Sequence, residues 1–145
     1  MMQAINRKAP ALCAKEISIH ASAEKVWTVL TDIPNWIKWN REISQVQLDG
    51  PLQPGTRFVW KTGGAKIRST LHTVEPFRHF GWTGKAMGAY AIHNWMLTEI
   101  NGQTKVSVEE SMDGLLVKVL RGMFNKNLEK GMQSWLELLK QECER

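Results

Sequence analysis

Between residues 43 and 112 apolar and polar side chains alternate with a period of two, in runs separated by turn signals; beyond about Leu115 the period lengthens to that of a helix. Few folds accommodate that switch. TRFVWKT (56–62) puts Phe58 and Trp60 on one face. AKIRSTLHTVE (65–75) puts Ile67, Ser69, Leu71 and Thr73 together, and RHFGWTG adds Phe80 and Trp82. AYAIHNWMLTEI (89–100) aligns His93, Trp95 and Leu97, and TKVSVEESM aligns Val106, Val108, Glu110 and Met112. Gly63-Gly64 and Asn101-Gly102 are tight-hairpin signals, because both central residues of such turns take positive φ. ISQVQLD (43–49), with Val46 and Leu48, and a strand over 14–20, with Ile17 and Ile19, complete an antiparallel set of about six to seven.

Helical signals flank the strands. Ser22 is a good N-cap for an amphipathic helix over 23–31, with Val26, Trp27 and Leu30 on one face. Asp32 and Pro34 end it, and a second short helix begins at Pro34, with Trp36 and Trp39 sharing a face. From about Leu115 to Glu142, Leu116, Leu120, Met123, Phe124, Leu128, Met132, Trp135 and Leu139 form one apolar stripe, predicting a single long helix. One such helix must cover the apolar face of the sheet, an α+β layer arrangement. Residues 1–13 have no periodicity and read as a loose arm before one domain over 14–145.

Composition bounds the function. The chain has 145 residues, 43% hydrophobic and 23% charged, which fits one globular domain. Folding at this length buries roughly 70% of the unfolded surface, so a core forms without staples. The net charge of +5 is scattered among carboxylates, which permits contact with anionic lipid or nucleic acid without demanding it. Cys13 and Cys143 stand near opposite ends and read as free thiols. No apolar run reaches the length of a signal peptide or a membrane span, so the expected location is the cytoplasm. The histidines at 20, 72, 79 and 93 lack metal-ligand spacing, KTGGAK lacks the phosphate-loop pattern, and no nucleic-acid motif appears. The chain is therefore read without metal, cofactor or nucleic-acid partner, as a monomer or homodimer.

Four stretches resemble a known family. IHASAEKVWTVLTDIPNWIKWN, QPGTRFVW, IHNWMLTEINGQTKVSVEE and the long terminal helix together resemble the START/Bet v 1-type helix-grip fold, in particular the small bacterial proteins grouped with polyketide cyclases and dehydrases. The resemblance covers about residues 14 to 143. It implies a curved antiparallel sheet gripping the C-terminal helix, with a cavity between them. On that reading Trp39, Phe58, Trp60, Leu71, Trp82, Trp95, Leu97, Val108, Phe124 and Leu128 contact a small hydrophobic ligand, aromatic, lipid-like or polyketide-like.

His93 and Glu110 are the ionisable residues that the alternation turns inward. Histidine exchanges protons near neutral pH, and a carboxylate in an apolar wall calls for a partner. Three functions stay open. A binding module needs only the apolar cavity; a metal-free cyclase or dehydrase needs His93 and Glu110 to converge on it. A chaperone-cofactor-like interaction domain needs an exposed apolar patch over a closed interior.

Overall fold

The computed structural model describes residues 2–145. The elements follow the order β1 (Ala11–Ile19), α1 (Ala23–Thr31), a 3-10 turn (Ile33–Asn35), α2 (Trp36–Trp39), β2 (Ile43–Leu48), β3 (Arg57–Thr62), β4 (Ala65–Glu75), β5 (His79–Ala86), β6 (Ala89–Ile100), β7 (Gln103–Asp113), α3 (Leu115–Val119) and α4 (Arg121–Glu144). The seven strands form one antiparallel sheet in the order β1-β7-β6-β5-β4-β3-β2. β2 to β7 run as a meander, and β1 closes the other edge by pairing with β7. Short connections favour such neighbours.

Local chemistry sets the helices as expected. The Ser22 hydroxyl accepts from the Lys25 amide at 3.1 Å, satisfying a free donor of the first turn of α1. Trp27 holds α1 to the sheet, its ring edge-on to Phe80 at 5.8 Å. The tryptophans of α2 both meet Trp135 of α4, at 5.0 Å from Trp36 and 5.8 Å from Trp39.

Two boundaries differ from the sequence reading. The terminal helix is broken at Leu120, whose φ of −106° and ψ of 39° interrupt the helical path. The break changes which side chains face inward. Val117 is buried with Ala11 and Ala89, while Leu116, Leu120 and Met123, read as part of the inward stripe, are exposed. Strand β1 begins at Ala11, inside the segment read as an arm, and residues 3–9 before it make contacts with the sheet. Ile5 and Ala9 are buried, the Asn6 amide donates to Ser111 Oγ at 3.0 Å, and Asn94 Nδ2 donates to the Gln3 carbonyl at 2.7 Å. The amide nitrogen of Asn94, a polar side chain buried on the sheet's outer face, is thereby partnered by backbone of the preceding segment.

Gly81 of β5 makes that outer face possible. A Cβ there would lie 2.4 Å from His72 Cε1 and 2.8 Å from Asn94 Oδ1, so β4 and β6 bring side chains together over a strand without one. Both cysteines are free. Burial pushes the Cys143 thiol up to about 12, which makes it a packing residue rather than a nucleophile.

Two predictions follow from this packing. Gly81→Ala forces His72 and Asn94 apart and should cost about 1–3 kcal/mol, read as a lowered urea midpoint. Burial also lowers the His72 pKa below its ordinary 6.5. The unfolded chain then binds the extra proton more readily, so stability present above pH 6.5 is lost as pH falls towards the native value. Urea midpoints taken between about pH 7.5 and 5.5 should decline on acidification, and less steeply in His72→Gln.

Candidate ligand cavity

The space between sheet and α4 is divided. At one end it is solid with rings. Trp36, fully buried, stands 5.6 Å from Phe58, 5.7 Å from Trp60, 5.5 Å from Trp82 and 5.0 Å from Trp135, mostly edge to face. That geometry sets positive ring edges against negative faces. Two of the indole N–H groups find acceptors: Trp36 Nε1 donates to the Leu30 carbonyl at 2.9 Å, and Trp60 Nε1 to Ser69 Oγ at 3.0 Å.

At the other end lies a cavity of about 410 Å³, within the usual range for a small-molecule site. Its walls follow the two-residue period of the strands. β3 contributes Trp60 and Thr62, β4 Ala65 and Ile67, and β5 Trp82, Gly84 and Ala86. β6 contributes Ala89, Ala91 and His93, and β7 Glu110 and Met112; α4 closes over them with Phe124, Leu128, Gly131, Met132 and Trp135. Glu42, Gly63 and Asn127 border the cavity and are exposed, which marks its opening. The hollow exists because inward positions shrink: Phe80 and Trp82 of β5 give way to Gly84 and Ala86, Trp95 of β6 gives way to Ala91 and Ala89, and β4 begins at Ala65. Gly131 does the same on the helix, with no atom within 4 Å of where its Cβ would be.

The structure separates the residues read from the sequence into two groups. Trp60, Trp82, His93, Glu110, Phe124 and Leu128 line the cavity. Phe58, Leu71, Trp95, Leu97 and Val108 face the same side of the sheet but lie in the solid core. Trp39 is half-buried against Trp135 and also stands outside the cavity wall. Alternation identifies the inward face correctly; it does not say where along the strand the filling stops. The small wall residues Ala65, Gly84, Ala86, Ala89 and Ala91 are not among the residues expected to contact a ligand, though small side chains at inward positions of AKI, GWTGKA and AYAIH are a visible signal; Gly131 joins them from the helix.

One rung of the sheet carries the polar chemistry. Trp82, His93 and Glu110 are direct cross-strand partners on β5, β6 and β7. The His93 ring lies parallel to the Trp82 indole, 4.4 Å away and tilted by 4°. On its other side His93 Nδ1 is hydrogen-bonded to Glu110 Oε1. The side chains are 7% and 13% exposed, so water competes little for the contact. With its Nδ1–H donating to the carboxylate, the ring keeps a free lone pair on Nε2, which has no protein partner. Trp95 Nε1, on the next inward position of β6, is also unpartnered. Among the described residues no group of three or more His, Cys, Asp or Glu converges as a metal site would require, and no helix is long and apolar enough to cross a membrane.

Comparison with solved structures shows the same fold. A hypothetical protein of Helicobacter pylori superposes with a TM-score of 0.85 at 20% identity, over 100% of this chain and 98% of that one. The ZhuI aromatase/cyclase from Streptomyces sp. R1128 gives 0.81 at 15% identity, over 92% and 93%. A START superfamily protein from Mycobacterium smegmatis gives 0.69 at 14%, over 90% and 97%. Among curated proteins no sequence match is significant. Residues 12–144 match the family model described as polyketide cyclase / dehydrase and lipid transport. With that match spanning almost the whole chain, on a helix-grip sheet that grips its last helix over a partly hollow interior, the protein belongs to the family described as polyketide cyclase / dehydrase and lipid transport.

Proposed function

We propose that the protein binds a small hydrophobic molecule, aromatic, lipid-like or polyketide-like, in the cavity under α4. The observation that carries this reading is the change from rings to alanine and glycine along the inward face, which leaves a largely apolar hollow at a defined place. Core packing alone favours filling such a gap, since empty space forfeits dispersion contacts. The interior is not closed, which speaks against an interaction domain whose cavity is merely core.

Gly131→Phe tests this directly. The space at the Gly131 Cβ position is free of other atoms and Gly131 lines the cavity, so the new ring takes up cavity volume. Binding of the apolar fluorophore 1-anilinonaphthalene-8-sulfonate should fall by roughly tenfold or more, with the melting temperature kept or raised. Unchanged dye affinity in a folded variant would place the ligand elsewhere.

A second reading is favoured by the contact between His93 and Glu110. A base whose Nδ1 is held by a carboxylate offers Nε2 to a substrate proton, and the Trp82 face accommodates the resulting cation. Applied to a keto substrate, His93 Nε2 takes an α-proton and the C–H electron pair moves onto the carbonyl oxygen as an enolate. That enolate then attacks a second carbonyl, whose oxygen takes the proton back from the His93 imidazolium, or expels a β-hydroxyl, which leaves as water with that same proton. The aromatase/cyclase neighbour supports such ring-forming chemistry on this fold. Deuterium wash-in at the α-carbon of benzoylacetone, followed by NMR, should be accelerated by the protein. His93→Gln should lose about 10²-fold of that acceleration while dye affinity stays within a few-fold. Equal exchange with and without protein would leave the binding reading alone.

A further inference from the structure

Six exposed large apolar side chains gather beside the cavity. Leu115 is 79% exposed, Val119 71% and Met87 78%, with Leu116, Leu120 and Met123 beside them. Met87 belongs to the turn between β5 and β6, and the others to α3 and the first turn of α4. The two pieces are joined, because a Cβ on Gly114 would lie 2.5 Å from the Gly88 carbonyl oxygen. Their neighbours in sequence are cavity wall: Ala86 and Ala89 flank the Met87 turn, and Phe124 follows Met123.

Neither piece is shaped by chance exposure of a frayed end. Met87 is held outward at a φ of 49°, a backbone conformation that non-glycine residues rarely adopt. The break at Leu120 turns Val117 into the core and leaves the leucines on either side of it in water. Charge is one-sided here as well. Residues 114–128 hold Lys118, Arg121 and Lys126 and no carboxylate, and residues 84–91 hold Lys85 and no carboxylate. All four cations are exposed. An apolar ridge bordered by cations, with no acid among them, is complementary to one kind of surface: acyl chains beneath anionic headgroups.

We infer that α3, the first turn of α4 and the Met87–Gly88 turn form a docking surface for an anionic lipid bilayer, placing the cavity wall at the membrane face. The surface stands on its own exposure and charge. Its use as the place where a ligand passes between bilayer and cavity rests on the ligand reading above.

Co-sedimentation with vesicles tests it. The full-length protein should pellet with phosphatidylcholine vesicles that contain about a third phosphatidylglycerol, and far less with phosphatidylcholine alone. Leu115→Ser combined with Val119→Ser should weaken that partition by about tenfold or more, and Lys118→Gln combined with Arg121→Gln by roughly fivefold for each charge removed. Both double variants should keep their melting temperature and their affinity for 1-anilinonaphthalene-8-sulfonate, since none of these residues lines the cavity. Protein that stays in the supernatant with anionic vesicles overturns the inference, as does equal pelleting of both variants and the parent. Loss of a concentration-dependent dimer in the leucine/valine variant, without vesicle binding by the parent, overturns it in favour of a second copy on this face. Dye binding separates the two proposals: a parent that takes up no dye but pellets with vesicles loses its cavity reading and keeps its surface.

Discussion

The indole of Trp135 sets the distance between sheet and helix. It projects from α4 into a nest of Trp36, Trp60, Trp82 and Trp95, all between 5.0 and 6.4 Å away. A helix is a stiff rod and a seven-stranded sheet a stiff plate, so a wedge at one place holds them apart along their length. Where the inward side chains remain large, the gap fills. Where they shrink to alanine and glycine it cannot close, because α4 cannot descend on one side without driving Trp135 into the rings below it. The cavity is in this sense a consequence of the aromatic core rather than an addition to it.

That dependence explains what the sequence discloses. Period-two alternation, the hairpin dipeptides and the Ser22 cap locate nearly every element, because each depends on near neighbours in the chain. The rung joining His93 to Glu110 was legible in the same way. The Asn101-Gly102 turn, at φ of 53° and 78°, pairs Ile100 with Gln103, and stepping back along both strands pairs His93 with Glu110. Trp82 was harder to place in that rung. It is fixed by the Met87-Gly88 turn, and methionine at positive φ is no turn signal. The break at Leu120 was hidden because its cause is tertiary: Val117 finds Ala11 and Ala89 across the fold, and no local residue announces it. The boundary between solid core and hollow is likewise invisible to alternation: Phe58, Leu71, Trp95, Leu97 and Val108 share the inward face with the cavity wall yet lie in the packed part. Periodicity gives a face; only the volumes facing it from α2 and α4 say where the face is covered.

The buried rung carries a cost that packing does not explain. Replacing His93 and Glu110 by apolar residues of similar size would remove two desolvated polar groups from the wall, and such exchanges are commonly neutral or stabilising. The Trp82 stack and the hydrogen bond to Glu110 hold the imidazole in one orientation and one tautomer. A ring fixed in both respects, with one nitrogen left unpartnered beside a cavity, is what recognition of a polar group on an otherwise apolar guest requires. The same arrangement serves proton transfer without further change. Binding and catalysis therefore differ here in what the guest offers to Nε2, rather than in the wall that receives it.

The two ends of the molecule divide the labour of stability and access. Beneath α1 and α2 the core is continuous from Phe80 through Trp36 to Trp135, and an opening there would expose several rings at once. At the far end the interior opens at Glu42, Gly63 and Asn127, and what borders it beyond Ala86 and Ala89 is thin: a short helix, a two-residue turn and the small cluster of Ala11, Ala89 and Val117. Separating these exposes little apolar surface, so this end opens at lower free energy than the other. Its outer side is already apolar. A nonpolar surface placed against Leu115, Val119 and Met87 would reduce the cost of opening further, because the side chains that part would meet hydrocarbon instead of water. The thin closure of the cavity and the exposed ridge above it are thus two faces of one local economy: few residues, small on the inside and large on the outside.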